Sequence, residues 1–208
     1  MRATTVLPQD YIEERTLTLS HNRNLMLGLT LGSAVLFVGF GILFLAAARY
    51  VAPSFHMSSS ITLRGWGGVL LVVGIPAGAI VLTGFVHELV HGLFYWLLTR
   101  ARPTYGFKII YAYAAAPDFY IPRNQSLIVG LAPFVLISLG GLVLLLFTPF
   151  VVTVTLVFIM TINAAGCAGD FYIVGLLLTR PASTLTRDIG DSMTFYRPAL
   201  KQNSVAIS

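Results

Sequence analysis

The composition of this chain excludes an ordinary water-soluble domain. Of its 208 residues, 56% are hydrophobic and only 10% are charged, whereas soluble domains carry about 25% charged residues. The formal net charge of +5 is small and its basic residues are dispersed along the sequence, which excludes nucleic acid as an expected partner. A mean hydropathy of +0.82 instead predicts an integral membrane protein in contact with a lipid bilayer.

The first half of the sequence contains two apolar runs, each long enough for a membrane-spanning helix. Residues 1–24 are polar, so we expect no cleavable signal peptide there. The first predicted span covers residues 25–48, because a helix needs about 20 residues to cross a bilayer. The second covers residues 66–98, and its extra length predicts a tilted helix, or one that emerges into the cytosol, with a kink at Pro76.

The second half contains a break and then two more spans. Residues 105–113 alternate aromatic with smaller side chains, which favours a short strand or hairpin over a helix. Further spans are predicted at residues 126–147 and 150–178, joined by a short turn into an antiparallel pair. The predicted fold is an all-α integral membrane protein, a single domain over residues 1–208. It has about four transmembrane helices and a short β-strand or hairpin insertion between helices 2 and 3.

The distribution of basic residues predicts the orientation of the chain. With four spans, the N-terminus, the loop at residues 100–125 and the polar tail at residues 179–208 share one side. That side carries 11 of the 13 Lys and Arg residues, and the positive-inside rule places it in the cytoplasm. We therefore expect a multi-pass protein of the plasma membrane with both termini cytoplasmic. Asp188 and Asp191 in the tail are expected to be simply solvated.

One charged motif, His87-Glu88-Leu89-Val90-His91, lies inside the second apolar run. It fits the HExxH pattern, in which two histidines four residues apart project from one helix face and bind the same metal ion. Glu88 lies about 100° around the helix from His87, where it acts on a water at the metal instead of binding the metal. The motif predicts a zinc site within or just below the membrane, with Glu88 as its catalytic residue.

Asp170 is the predicted third metal ligand. It is the one acidic residue outside the motif that lies in an apolar run, where an ionisable group is costly unless it is paired with a cation. His87, His91 and Asp170 all lie on the order of 10–16 Å from the cytoplasmic ends of their predicted helices. Asn163 lies two turns before Asp170 on the same helix face. It is suited to bonding a substrate backbone or a group near the metal, or to joining two helices.

These motifs resemble two known groups of membrane proteins. HExxH in one transmembrane helix, with Asn163 and Asp170 seven residues apart in a later one, resembles the site-2 protease class of intramembrane metalloproteases. HELVHG, the aromatic stretch, the LAPF sequence at residues 131–134 and the Gly169-Asp170 pair resemble a bacterial "putative zincin peptidase" family, itself of unknown function. This second resemblance covers residues 66–198.

The motifs and the resemblance together imply a zinc-dependent, membrane-embedded endopeptidase. It would hydrolyse peptide bonds of membrane-associated proteins near the cytoplasmic face. His87, His91 and Asp170 would hold one Zn²⁺ per chain, and Glu88 would take a proton from water and pass it to the leaving amine.

The expected partners are a membrane protein or peptide substrate and the lipid bilayer, while the oligomeric state is left open. The strand-like stretch, with Tyr111 and Tyr113, is expected to offer an edge to an extended substrate segment, and Asn163 is a further candidate substrate contact. The alternative is a metal-binding membrane protein without peptidase activity, such as a transporter, sensor or inactive scaffold. Glu88 favours the peptidase, because metal binding alone does not need it.

Overall fold

The computed structural model describes residues 2–18, 22–53, 65–107 and 112–199, which form five helices and six strands. The helices are α1 (Arg23–Val51), α2 (Gly65–Thr99), α3 (Arg123–Leu145), α4 (Phe150–Gly166) and α5 (Ala168–Leu178). The strands are β1 (Tyr11–Thr18), β2 (Thr104–Phe107), β3 (Ala112–Ala115), β4 (Ile121–Pro122), β5 (Leu185–Asp188) and β6 (Ser192–Pro198). Within α2, Leu70–Gly74 forms a π-helical turn just before Pro76.

Three of these helices are long and apolar enough to cross a membrane. They are α1, α2 and α3, with 29, 35 and 23 residues, and they match the first three predicted spans to within three residues at either end. Their outer faces carry exposed large apolar side chains, as expected of lipid-facing helices. Examples are Leu31, Val35 and Ile42 on α1, Val73 and Val81 on α2, and Leu139 and Val143 on α3. These helices are therefore compatible with a membrane protein.

The fourth predicted span is interrupted. Helices α4 and α5 meet at Cys167 with a bend of 47°, and together they are long enough to count as one broken span. Gly166 and Gly169 flank the break, and glycine weakens a helix by roughly 1 kcal/mol relative to alanine. The prediction of one helix over residues 150–178 therefore missed a bend, which places Asp170 in the first turn of a separate helix.

The predicted mostly helical fold is confirmed, but the prediction of no more strand than a hairpin is wrong. The predicted hairpin is present as β2 and β3, but a second, four-stranded sheet has the order β1-β6-β5-β4. Strand β1 pairs antiparallel with β6, from Tyr11 opposite Pro198 to Thr18 opposite Ser192. This sheet is built from the polar segments on either side of the apolar runs. Its core consists of a few apolar side chains, including Leu185 and Phe195, which are nearly inaccessible to solvent.

Helix α2 occupies a central position in the helical part of the protein. It packs against α3, α4 and strand β3, while α5 packs against α3 and α1. A separate apolar core holds α1, α3 and α4 together through Phe44, Ala48, Leu145, Met160 and Ala164. This arrangement turns one face of α2 towards the bend between α4 and α5.

Candidate metal centre

Helix α2 presents His87 and His91 on one face, one helical turn apart. The two Nε2 atoms are 3.1 Å from each other. Both side chains are largely buried, with 12% and 10% of their surface exposed. The four-residue spacing produces this proximity, because side chains at positions i and i+4 lie above one another on a helix.

Asp170, in the first turn of α5, faces both histidines. Its Oδ2 is 3.3 Å from the His87 Nε2, and its Oδ1 is 3.5 Å from the His91 Nε2. One ligand atom from each of the three residues lies within 4.8 Å of the other two. The structure therefore brings the three predicted metal ligands together, although they come from two helices separated by 79 positions in the sequence.

The remaining ring nitrogens of the histidines are held by hydrogen bonds. The His91 Nδ1 lies 3.1 Å from the Val129 carbonyl oxygen, which can only accept, so this nitrogen donates. The His87 Nδ1 lies 3.0 Å from the Asn163 Oδ1. The Asn163 Nδ2 donates to the Pro133 carbonyl at 3.2 Å, which fixes Oδ1 as the acceptor for His87. In their neutral form, both imidazoles therefore carry their proton on Nδ1 and turn the Nε2 lone pair towards Asp170.

This arrangement fits a metal cation. The atoms that converge are two imidazole nitrogens with free lone pairs and the oxygens of a carboxylate, which repel one another unless a positive charge lies among them. The Asp170 Oδ2 is buried and lacks a hydrogen-bond partner among the described residues, a costly state for a carboxylate. Two histidines and one carboxylate are a ligand set that zinc takes in catalytic sites.

Glu88 lies beside the histidines but outside this cluster. It lines the same cavity, of about 620 Å³, as His87, His91 and Asp170. Its carboxylate interacts with the backbone N–H of Ala114 in strand β3. Glu88 therefore borders this cavity together with the cluster and strand β3.

Strand β3 forms one wall of this cavity through Ala112, Tyr113 and Ala114. The Tyr113 ring packs so closely against Gly106 and Gly190 that neither position has room for a Cβ atom. Gly190 also has a φ of 93°, which favours glycine at this turn. Tyr113 therefore lies at the cavity, and its contact with a substrate stays a prediction, while Tyr111 lies outside the described residues.

Two residues near the cavity were not predicted to lie there. Tyr95 was not singled out from the sequence, and Asp188 was expected to be solvated. The Tyr95 hydroxyl donates to the Asp188 Oδ2 at 2.5 Å, and the Gly190 N–H donates to Oδ1 at 2.8 Å. Burial raises the pKa of Asp188, and these two hydrogen bonds oppose that rise. The expectation of a solvated Asp188 is wrong, because the turn between β5 and β6 folds back onto α2. Tyr95 could have been noticed, since it continues the four-residue spacing of His87 and His91.

Comparison with known proteins yields one family. The family model described as "Putative zincin peptidase" matches residues 80–185, about half of the chain. The matched range contains His87, Glu88, His91, Asn163 and Asp170. No curated protein and no solved structure gives a significant match.

Proposed function

Because this chain belongs to the family described as "Putative zincin peptidase", and this family supports a metallopeptidase, we propose that the protein is a membrane-embedded zinc endopeptidase of the site-2 protease type. It would hydrolyse peptide bonds of membrane-associated proteins near the cytoplasmic face. The observation that carries this proposal is the convergence of His87, His91 and Asp170 beside Glu88 in one cavity. A site that only stored or transported a metal would not need Glu88.

His87, His91 and Asp170 would hold one zinc ion per chain. When bound, zinc would polarise the substrate carbonyl and lower the pKa of a water molecule. Asn163 and the Val129 carbonyl keep the two histidine rings oriented with Nε2 towards Asp170. This prior orientation matters because catalytic groups must be held near their productive geometry before the substrate arrives.

Glu88 is proposed to move the proton in the reaction. Its carboxylate would accept a proton from the attacking water on one oxygen and deliver it to the leaving amine. Ala114 of strand β3 lines the cavity beside this carboxylate. A carboxamide at this position cannot accept that proton, so Glu88→Gln isolates this step from metal binding.

Strand β3 is proposed to align the substrate. Among the described strands it pairs only with β2, so no described strand covers its other edge, and Ala112, Tyr113 and Ala114 line the cavity. An extended peptide could pair with that edge and present its backbone to the cluster. Tyr113 would form the adjacent wall, and contact of Tyr111 with substrate stays a prediction. Asn163 already uses both ends of its amide within the protein, which favours a role in orienting His87 over substrate contact.

The proposed location is the plasma membrane, with α1, α2, α3 and the bent pair α4–α5 as its spans. The apolar outer faces of the long helices support this placement. The basic residues near β1, β4 and β5 support a cytoplasmic location for the ends of these strands. The lipid bilayer and a membrane protein or peptide substrate are the partners that this placement requires.

Glu88→Gln tests the mechanism. In detergent-purified protein, the variant should retain about one zinc per chain, and cells producing it should accumulate uncleaved substrates in membrane proteomics. Glu13→Gln, an exposed change on β1, is the matched control and should behave as the wild type. Normal processing by Glu88→Gln would exclude the proposed proton transfer. Zinc binding without any substrate difference between wild type and Glu88→Gln would favour a metal-binding protein that is not a peptidase.

A further inference from the structure

Pro133 interrupts the hydrogen-bond ladder of helix α3 at a buried position. Proline has no N–H, so the carbonyl of the residue four positions earlier loses its helical partner. That residue is Val129, which is only 3% exposed. A buried carbonyl without a partner costs free energy, and water has little access to this one.

His91 supplies the missing donor. Its Nδ1 lies 3.1 Å from the Val129 oxygen, so the carbonyl that Pro133 leaves free is the one that holds a predicted metal ligand. The Pro133 carbonyl accepts a second hydrogen bond, from the Asn163 Nδ2 at 3.2 Å. The Asn163 Oδ1 in turn accepts from the His87 Nδ1 at 3.0 Å. Pro133 is thus linked to His91 through the Val129 carbonyl, and to His87 through its own carbonyl and Asn163.

We propose that Pro133 is a positioning residue for the metal centre. Its missing N–H reserves the Val129 carbonyl for His91, and its own carbonyl fixes the Asn163 amide so that Oδ1 faces His87. This inference rests on the proposed metal-binding role of His87 and His91. It gives a physical reason for proline in the LAPF sequence at residues 131–134.

The packing around Pro133 keeps the two carbonyls in place. The neighbouring Phe134 ring contacts Phe40 of α1 edge-on, with 5.0 Å between ring centroids. It also contacts Phe171 of α5, the residue after Asp170, at 5.1 Å. Phe134 therefore packs α3 against α5, the helix that carries Asp170. This contact lies next to the two α3 carbonyls that are linked to the histidines.

A backbone N–H at position 133 would compete with His91 for the Val129 carbonyl. A weaker bond to Nδ1 allows the tautomer that carries its proton on Nε2, where the proton points at Asp170 and blocks metal binding. Loss of a hydrogen bond that orients a metal ligand typically lowers metal affinity by about 10- to 100-fold. An N–H that completes the helical ladder should leave helix stability unchanged or raise it. Metal affinity and stability should therefore change independently.

The experiment uses the full-length chain in detergent. It measures Zn²⁺ affinity by competition with a chromophoric chelator, and it measures the unfolding temperature of the metal-free protein. Pro133→Ala should bind Zn²⁺ about 10- to 100-fold more weakly, with an unfolding temperature equal to or above that of the wild type. A backbone-ester variant, with lactic acid at position 133, has the alanine side chain but no N–H. It should bind Zn²⁺ within a few-fold of the wild type. Pro76→Ala in α2 is the matched control for loss of a helical proline and should not change affinity.

Equal Zn²⁺ affinity of Pro133→Ala and wild type would overturn this inference, and so would an ester variant that binds as weakly as Pro133→Ala. If Pro133→Ala does not fold, the ester variant decides: wild-type affinity supports the inference and weak binding overturns it. Failure of the proposed function looks different. A wild type that binds Zn²⁺ but cleaves nothing would exclude the peptidase and leave the role of Pro133 intact.

Discussion

Two carboxylates meet the same face of helix α2, and their surroundings are opposite. Asp170 faces the Nε2 lone pairs of His87 and His91, and its Oδ2 lacks a hydrogen-bond partner within the described chain. Asp188 faces two donors, the Tyr95 hydroxyl and the Gly190 N–H, one for each oxygen. A carboxylate among lone pairs requires a cation, whereas a carboxylate among donors is already satisfied. The difference separates the proposed metal ligand Asp170 from Asp188, which contacts α2 one helical turn further along.

Exchange of each carboxylate for an amide is the strongest test of this contrast. Asp170→Asn removes the negative charge from the metal cluster, so Zn²⁺ affinity should fall by at least about 100-fold. Asp188→Asn, the matched change in the turn, should leave Zn²⁺ affinity within a few-fold of the wild type. Chelator competition on both purified variants measures this. Comparable losses in the two variants would mean that the contrast does not identify the metal ligand.

Removal of the donor to Asp188 should have a smaller effect, and on stability instead of metal binding. Tyr95→Phe leaves the Asp188 Oδ2 without its hydroxyl partner, which should lower the free energy of unfolding by about 1–3 kcal/mol. Tyr50→Phe is the control, because Tyr50 is 85% exposed and the change should stay within about 0.5 kcal/mol. Unfolding in mixed detergent micelles measures both. An unchanged stability in Tyr95→Phe would show that the turn does not depend on this bond.

The smallest expected effect is a dependence of the unfolding temperature on pH, caused by Asp188 in the turn between β5 and β6. Burial raises the pKa of Asp188 above its usual 3.8, so the folded protein holds this proton more tightly than the unfolded chain. The resulting stabilisation is complete below pH 3.8 and is lost as the pH rises through the raised pKa. The unfolding temperature of the wild type relative to Asp188→Asn should therefore increase as the pH falls from 7 towards 4. A difference in unfolding temperature that decreases as the pH falls would contradict a raised pKa for Asp188.

The proposed metal ligands could be predicted because ionisable residues stand out in apolar runs. His87, His91 and Asp170 are costly there unless they are paired, and the four-residue spacing of the histidines limits where a partner must lie. The depth of Asp170 along its predicted helix was enough to match it to the motif, even though the bend at Cys167 was not foreseen. The long apolar helices were predictable for the same reason, because their composition differs sharply from that of the connections.

The supporting residues could not be predicted in this way. The Val129 carbonyl is a backbone group, so no residue type marks it, and the effect of Pro133 becomes apparent only when His91 is seen opposite. Strands β1 and β6 contain charged residues among the apolar ones, and they pair residues that lie more than 170 positions apart in the sequence. Asp188 was predicted to be solvated because the sequence of the polar tail does not indicate that the turn between β5 and β6 contacts α2.

Because β1, β4, β5 and β6 belong to one sheet, the proposed membrane placement requires an even number of crossings between these strands. Strand β1 precedes α1, β4 precedes α3, and β5 follows α5, so one sheet holds the chain at three separate points along its path. In the proposed membrane placement, each segment between these points must return to the side it left. Helices α1 and α2 would cross the membrane and return, and α3 with the bent pair α4–α5 would do the same. A hydrophilic tag before β1 and another after β6 should therefore be accessible from the same side of sealed vesicles.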